Sequence, residues 1–104
     1  MTRLFLARDE ERLVWVMALI DGDVWTYVAN TGEFHRNEAL RDDYLAGTIF
    51  SYEEVGVPEA RRAVEAGVGL LDEETRAVPL RAWRADQHPM DPDVVFASLI
   101  ADLG

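Results

Sequence analysis

The side chains that usually carry catalysis are few in this sequence, and their spacing matches no catalytic motif. The two histidines, His35 and His88, lie far apart, and neither has a second histidine one helical turn away, as a metal-binding pair would require. The two serines, Ser51 and Ser98, fit no nucleophile-elbow pattern. The chain has neither cysteine nor lysine, which removes thiolate and Schiff-base chemistry. The sequence therefore favours a protein that is not an enzyme, without excluding one.

Acidic residues are the other possible source of chemistry, because they occur in short clusters. These clusters are the runs 9–11, 42–43, 53–54 and 72–74 and the pair Asp21 and Asp23. Paired carboxylates can hold a metal ion or transfer protons on a sugar. Each cluster here falls at a predicted turn or helix end, however, where exposure to water is enough to explain it. We predict no metal site and no cofactor.

The charge balance indicates what kind of molecule the chain can bind. Twenty acidic and ten basic residues give a formal net charge of −10 at pH 7. Such a field repels the phosphates of nucleic acids and anionic membranes, and it attracts basic proteins. We therefore expect a basic protein partner, and neither direct nucleic-acid binding nor membrane binding. The candidate partner-binding acids are Asp42, Asp43, Asp72, Glu73 and Glu74.

The length and apolar content are those of a single domain. With 104 residues, 49% of them apolar, the chain can build one core. Its longest apolar run, LVWVMALI, is far shorter than the roughly 20 residues that cross a bilayer. The start of the sequence does not have the pattern of a secretory signal. We expect a cytoplasmic protein. All ten residues of the lysine and arginine class are arginine, which is typical of proteins from GC-rich bacterial genomes.

Two tight-turn signals organise the first third of the chain. Asp21 and Gly22 separate two apolar runs and suit the positive φ angles of a type I′ hairpin. In the segment ANTGEF, Gly32 suits the left-handed position of a second turn. Together with RLFLAR and the turn DEER upstream, these signals predict a four-stranded antiparallel meander over about residues 3–36. The predicted fold class is α+β.

Counting across the two turns assigns the side chains to two faces of the sheet. The count places Tyr27 opposite His35 and Val28 opposite Phe34. One face then carries Leu13, Trp15, Met17, Leu19, Val24, Val28 and Phe34. The other carries Val14, Val16, Ala18, Ile20, Trp25, Tyr27, Ala29 and His35. Both faces are largely apolar, so each one needs a cover.

Three later segments carry helix signals. Asn37 and Asp91 are favourable N-cap residues, and Pro58 suits the first turn of a helix. Gly67 and Gly69 weaken the end of the middle helix and favour a stop near residue 66. The sequence predicts two or three helices, over about residues 38–46, 58–71 and 92–103.

In two other segments the apolar residues have neither a clear helical nor a clear strand spacing. TIFSYEEV is compatible with either a strand or an extended connector. RAVPLRAWRADQHP contains Pro79 and Pro89, so we predict an extended crossing segment in which Trp83 is an anchor.

The predicted second sheet face bears on partner binding and on oligomeric state. Trp25, Tyr27 and His35 lie on it, and tryptophan and tyrosine are enriched at protein interfaces. Either helices cover this face, and the three residues belong to the core, or the face binds a partner. If helices cover only the Trp15 face, the exposed apolar patch is larger than monomers usually tolerate, and we expect a homodimer.

Two classes of function fit these features. The first is a small acidic noncatalytic binding protein of bacterial type, such as an immunity protein, antitoxin or inhibitor that neutralises a basic protein partner. The second is a small-ligand-binding domain or modest enzyme with a pocket around Trp25, Tyr27 and His35. A cleft in which these three residues meet an acid would favour the second class. A flat acidic face would favour the first.

Overall fold

The fold is α+β, as predicted, and consists of one five-stranded antiparallel sheet with four helices. A computed structural model of the chain describes residues 1–47 and 49–103, and the side chains of all of these except 102 and 103. The strands follow the order β4-β3-β2-β1-β5 across the sheet. The elements are β1 (Thr2–Asp9), β2 (Arg12–Ile20), β3 (Asp23–Val28), β4 (Glu33–Arg36), α1 (Glu38–Ala46), β5 (Ser51–Val55), α2 (Val57–Glu65), α3 (Ala77–Arg84) and α4 (Pro92–Leu103).

The predicted meander of β1 to β4 is confirmed, and its turns have the expected geometry. Asp21 and Gly22 have φ angles of 51° and 86°, as a type I′ turn requires. Ala18 pairs with Trp25 across this turn. Gly32, with φ of 74°, takes the left-handed position in the turn between β3 and β4. Local turn chemistry therefore sets the order and direction of these four strands.

The ambiguous segment supplies a fifth strand, so the predicted number of strands was too low by one. β5 pairs antiparallel with β1, and Leu4 lies opposite Val55. Two ion pairs link the same strands, from Arg3 to Glu54 and from Arg8 to Glu53. The acidic run 53–54 is thus partly neutralised within the sheet.

The helices at 38–46 and 92–103 lie where the sequence predicts them. The Asn37 side chain accepts a hydrogen bond from Leu40 N at 3.0 Å, which makes it the N-cap of α1. α2 ends at Glu65 rather than at 71, because Gly67 and Gly69 have positive φ angles of 84° and 93°. No helix among residues 1–47 and 49–103 is long and apolar enough to cross a membrane.

α3 is a correction, because this segment was predicted to be extended. Pro79 is the third residue of the helix, where a missing N–H costs little since the first turn has no intrahelical acceptors for it. Pro89 lies beyond the C-terminal end. Neither proline therefore prevents the helix. Trp83 is partly buried and packs against the core, as expected of an anchor.

Helices cover both faces of the sheet. α2 and α4 pack on the face that carries Trp25, where Ala60 and Phe96 join the core. α1 and α3 pack on the face that carries Trp15, where Leu40 and Leu80 join a second core. The Trp25 face therefore gives no reason for a homodimer, because its cover comes from the same chain. The oligomeric state itself stays a prediction.

The predicted register between β3 and β4 was wrong by one residue. Phe34 lies opposite Tyr27, and His35 lies opposite Thr26. The reason is the length of the turn, which has four residues, 29–32, between Val28 and Glu33. Because neighbouring residues of a strand point to opposite faces, Phe34 joins the Trp25 face, and His35 leaves it.

A bulge in β2 corrects the faces at the start of that strand. Ala7 pairs with Trp15, whereas Arg8 pairs with Leu13, so Val14 is an extra residue in β2. Leu13 consequently packs with the Trp25 face, and Val14 packs with the Trp15 face. Nothing in the composition of the strand indicates this bulge.

Candidate functional site

Trp25 and Tyr27, two of the candidate partner-binding residues, lie in the core. Trp25 is only 7% exposed, and the Arg36 guanidinium lies 5.4 Å from the centroid of its ring. Tyr27 packs against Phe34, with ring centroids 5.6 Å apart. Of the two readings that the sequence left open for these aromatics, the described residues support the core, because α2 and α4 cover them.

His35 is buried on the opposite face, away from those two aromatics. Its Nδ1 lies 2.9 Å from Asp86 Oδ2, and its Nε2 lies 2.7 Å from Thr31 Oγ1. Its ring stacks near Trp83, with centroids 6.1 Å apart. The structure therefore does not bring Trp25, Tyr27 and His35 together around one pocket.

The hydrogen-bonded series Thr31–His35–Asp86 has the hydroxyl, imidazole and carboxylate order of hydrolytic triads. Its contacts, however, are those of residues that hold the fold together. The Thr31 hydroxyl also lies 3.1 Å from Val28 O within its own turn. Neither Thr31 nor His35 lines the cavity of about 550 Å³ between α1 and α3, so a substrate bound in that cavity would not reach the imidazole. The hydrogen bond from His35 lowers the pKa of Asp86. The three groups tie the turn between β3 and β4 to the end of α3.

The acidic cluster 42–43 divides into one exposed and one buried carboxylate. Asp42 is exposed, whereas Asp43 is only 8% exposed. Asp43 accepts hydrogen bonds from Ile49 N at 2.8 Å, from Phe50 N at 3.1 Å and from the Tyr52 hydroxyl at 2.7 Å. Asp43 therefore holds the segment before β5 against α1, and its expected role as a surface charge was wrong.

The second acidic cluster, 72–74, lies in the loop before α3. Asp72 accepts hydrogen bonds from Glu74 N and Thr75 N. Glu73 forms a two-point ion pair with Arg84 at 2.7 and 2.8 Å. The Arg84 contacts, followed by a hydrogen bond from Asn30, lower the pKa of Glu73 to about 2. Glu74 is exposed and has no ion-pair partner among the residues that the structure describes.

A groove between α1 and α3 has a volume of about 550 Å³. β2 contributes Val14 and Trp15 to it. This volume lies within the usual range for ligand sites, roughly 300–1,000 Å³. The apolar side chains that shape it include Trp15, Leu40, Phe50, Leu71, Pro79 and Trp83. Asp43 and Asp72 also line it, so both acidic clusters border the same groove.

Three polar side chains of this lining, those of Asn37, Asp43 and Asp72, are already bonded within the protein. Asn37 accepts from Leu40 N, and the Trp83 indole N–H donates to Arg36 O at 3.2 Å. Asp43 and Asp72 accept the bonds given above. No buried side-chain nitrogen or oxygen among the described residues lacks a partner. The groove therefore offers a largely apolar surface, on whose lining the exposed Arg12 and Arg76 form no ion pair with any described residue.

Two apolar side chains at the rim of the groove stay in water. Ile49 is 64% exposed and Leu70 is 69% exposed, and both line the groove. Sequence reasoning missed these residues, because they lie in loops without a helical or strand period. The available signal was the presence of large apolar residues in such loops, next to Phe50 and Leu71.

A smaller cavity, of about 310 Å³, borders the Trp25 side chain. It is lined by Trp25, Arg36, Asp86 and His88. Tyr27 and His35 do not line it, so it is not the pocket that the sequence suggested. Within the described part of the chain, no group of three histidine, cysteine or acidic residues could hold a metal ion.

Comparisons with known proteins add no relative to this picture. No protein-family model matches the sequence, and neither curated proteins nor solved structures gave a significant match. The functional argument therefore rests on the groove and on the charge around it.

Proposed function

We propose that this chain is a small acidic noncatalytic protein that binds a basic protein partner, in the manner of an immunity protein, antitoxin or inhibitor. One observation carries the proposal: two acidic clusters from different parts of the sequence border one apolar groove. Asp72 and the buried Asp43 line it, and the exposed charges of the two clusters next to them are Asp42 and Glu74. Apolar contact gives such a surface its affinity, and charge gives it selectivity and a fast encounter. A cytoplasmic location is part of the same proposal.

Part of the acidic surplus of the chain is available to a partner. Ion pairs occupy Asp23, Glu53, Glu54, Glu73 and Asp93. Other exposed acids form no ion pair within the residues described by the structure, among them Glu10, Glu11, Glu38, Asp42 and Glu74. Uncompensated charges of one sign attract an oppositely charged partner over about a Debye length, roughly 8 Å at physiological salt.

The alternative, a small-ligand-binding domain or modest enzyme, has weaker support. Trp25 and Tyr27 lie on one face of the sheet, and His35 lies on the other. The volume of the α1–α3 groove would suit a small ligand. Asn37, Asp43 and Asp72 of its lining already form hydrogen bonds within the protein, however, so they offer few free groups to a polar metabolite.

The proposal is tested by using the protein as bait in a lysate of its native host. Association rates with each captured protein are then measured between roughly 0.05 and 0.5 M salt. The partner should be basic, and association should be roughly 10 to 1,000-fold faster at low salt than without electrostatic attraction. The proposal fails if the captured partners are acidic or neutral, or if the rates do not respond to salt.

Charge variants show whether the acids near the groove are responsible. The variant Asp42→Asn with Glu74→Gln removes two unpaired charges near the groove. The variant Glu59→Gln with Glu65→Gln removes two exposed charges from α2, on the other face of the sheet. Association should slow more in the first double variant than in the second. Equal slowing would mean that only the total charge matters.

A further inference from the structure

The lining of the groove between α1 and α3 also fits a small molecule of a definite chemical class. We propose that the groove binds a small apolar carboxylate, whose apolar body lies against the tryptophans and whose carboxylate group pairs with the arginine side chains of the lining, Arg12 and Arg76. This inference goes beyond the proposed function and rests on different residues, the two arginines rather than the exposed acids. A basic partner that covers the groove would compete with this ligand.

The apolar body of the ligand follows from the apolar side chains of the lining. Trp15 and Trp83 meet edge to face in the groove, with ring centroids 6.1 Å apart. Phe50 and Leu71 add further apolar surface. Trp83, Phe50 and Leu71 are only partly buried, so part of this surface faces water. A ligand that covers it removes apolar area from water, which is favourable roughly in proportion to that area.

The carboxylate group follows from the free donors and acceptors of the lining. Arg12 and Arg76 are exposed, and neither forms an ion pair or a side-chain hydrogen bond with a residue that the structure describes. The two carboxylates of the lining, Asp43 and Asp72, instead accept hydrogen bonds from four main-chain N–H groups and one tyrosine hydroxyl. The charged groups left without partners are therefore guanidinium donors, and a carboxylate can accept two parallel hydrogen bonds from a guanidinium.

The net charge of the chain explains why a simple anion would not suffice. At −10, the long-range field of the protein repels anions. The exposed Asp42 and Glu74 lie next to lining residues in the sequence, although neither lines the groove itself. Ion pairs at exposed arginines contribute little by themselves. Apolar contact must therefore supply most of the affinity, and the arginines select the ligands that carry a carboxylate.

The experiment compares three probes with the full-length chain. Naphthylacetic acid has both the apolar body and the carboxylate, naphthylacetamide replaces the carboxylate with a neutral amide, and acetate has no apolar body. Each probe is titrated at about 0.15 M salt, and binding is followed by NMR through the indole N–H signals of the three tryptophans. We expect the signals of Trp15 and Trp83 to shift and that of Trp25, on the other face, to stay constant. The acid should bind about tenfold more tightly than the amide, and acetate should not bind.

Charge variants then show whether the arginines of the lining cause this preference. Arg12→Gln with Arg76→Gln should weaken binding of the acid to the level of the amide, whose own binding should not change. The control, Arg62→Gln with Arg81→Gln, removes the same charge from two exposed arginines that do not line the groove, and the preference for the acid should remain. All four side chains are exposed, so each variant is expected to fold, which circular dichroism verifies.

The inference is overturned if the acid does not bind, or if the amide or acetate binds as tightly as the acid. A shift of the Trp25 signal in place of those of Trp15 and Trp83 overturns it too, as does an equal loss of preference in the two double variants. The comparison of the three probes uses the unmodified chain, so it decides even if a variant fails to fold. None of these outcomes bears on the proposed function, which is judged by the charge of the captured partner and by the salt dependence of its association.

Discussion

Trp15 of β2 and Trp83 of α3 pack edge to face, with ring planes at 82° and centroids 6.1 Å apart. The Trp83 indole N–H also donates to Arg36 O at 3.2 Å, so α3 is fixed to the sheet by apolar and polar contacts at one residue. Both indoles line the groove, whereas the third tryptophan of the chain, Trp25, lies on the other face. Intrinsic fluorescence therefore reports directly on the groove.

Occupation of the groove should move the tryptophan emission to shorter wavelength, because the partly exposed Trp83 loses contact with water. Titration with the captured basic partner, followed by fluorescence, measures this shift. Most of it should disappear in Trp83→Phe. A shift that persists in Trp83→Phe and disappears in Trp25→Phe would place the ligand on the opposite face.

Replacing the buried carboxylate of α1 should destabilise the fold. Asp43→Asn places an amide N–H₂ against donors from Ile49, Phe50 or Tyr52, so at least one bond to a charged acceptor is lost. We expect a loss of about 1–3 kcal/mol in the free energy of unfolding, measured by urea denaturation. The control Asp42→Asn, at the exposed neighbour, should change it by less than about 0.5 kcal/mol. Equal effects would contradict the structural role of Asp43.

The glycine between α2 and α3 that touches β3 should not tolerate a side chain. Gly69 has a φ of 93°, and a Cβ there would clash with the Tyr27 carbonyl oxygen. Gly47 also has a positive φ, 67°, but nothing lies within 4 Å of its Cβ position. Gly47→Ala should cost roughly 1–2 kcal/mol. Gly69→Ala should cost about 1–3 kcal/mol more, as thermal or urea unfolding would show.

The loss of folding stability at acidic pH should depend on Glu73. Arg84, and after it Asn30, lowers the pKa of Glu73 to about 2 in the folded protein, compared with about 4.3 in an unfolded chain. A lowered pKa stabilises the fold above the unfolded value, and this contribution is lost as the pH falls from about 4.3 towards 2. Urea midpoints measured across that range should fall less steeply in Glu73→Gln than in the control Glu74→Gln. Identical slopes would show that the ion pair does not form in solution.

Local sequence signals predict much of this fold, because several elements are determined by adjacent residues. Asp21 and Gly22 set one hairpin, and Asn37 begins α1 through its own side chain. The failures depend on information that is not local. The face of His35 depends on the four-residue length of the turn between Val28 and Glu33. α3 forms because Pro79 lies in its first turn, a position that composition alone does not distinguish from a break.

The candidate site was much less predictable than the fold. The acidic clusters at 42–43 and 72–74 were visible in the sequence, but their convergence depends on how α1 and α3 pack on the sheet. The burial of Asp43 depends on hydrogen bonds from Ile49 and Phe50, which no pattern in α1 indicates. Rim residues such as Leu70 come from loops, and their proximity is a tertiary property.

The most direct test of the proposed binding role is to map the contact surface by NMR, with the captured basic partner added to the isotope-labelled full-length chain. We predict that the largest amide chemical-shift changes fall in α1, in residues 49–50, in residues 70–76 and in α3. Amides of α2 and α4, on the other face of the sheet, should change little. Changes concentrated in α2 and α4, with the groove unaffected, would contradict the account.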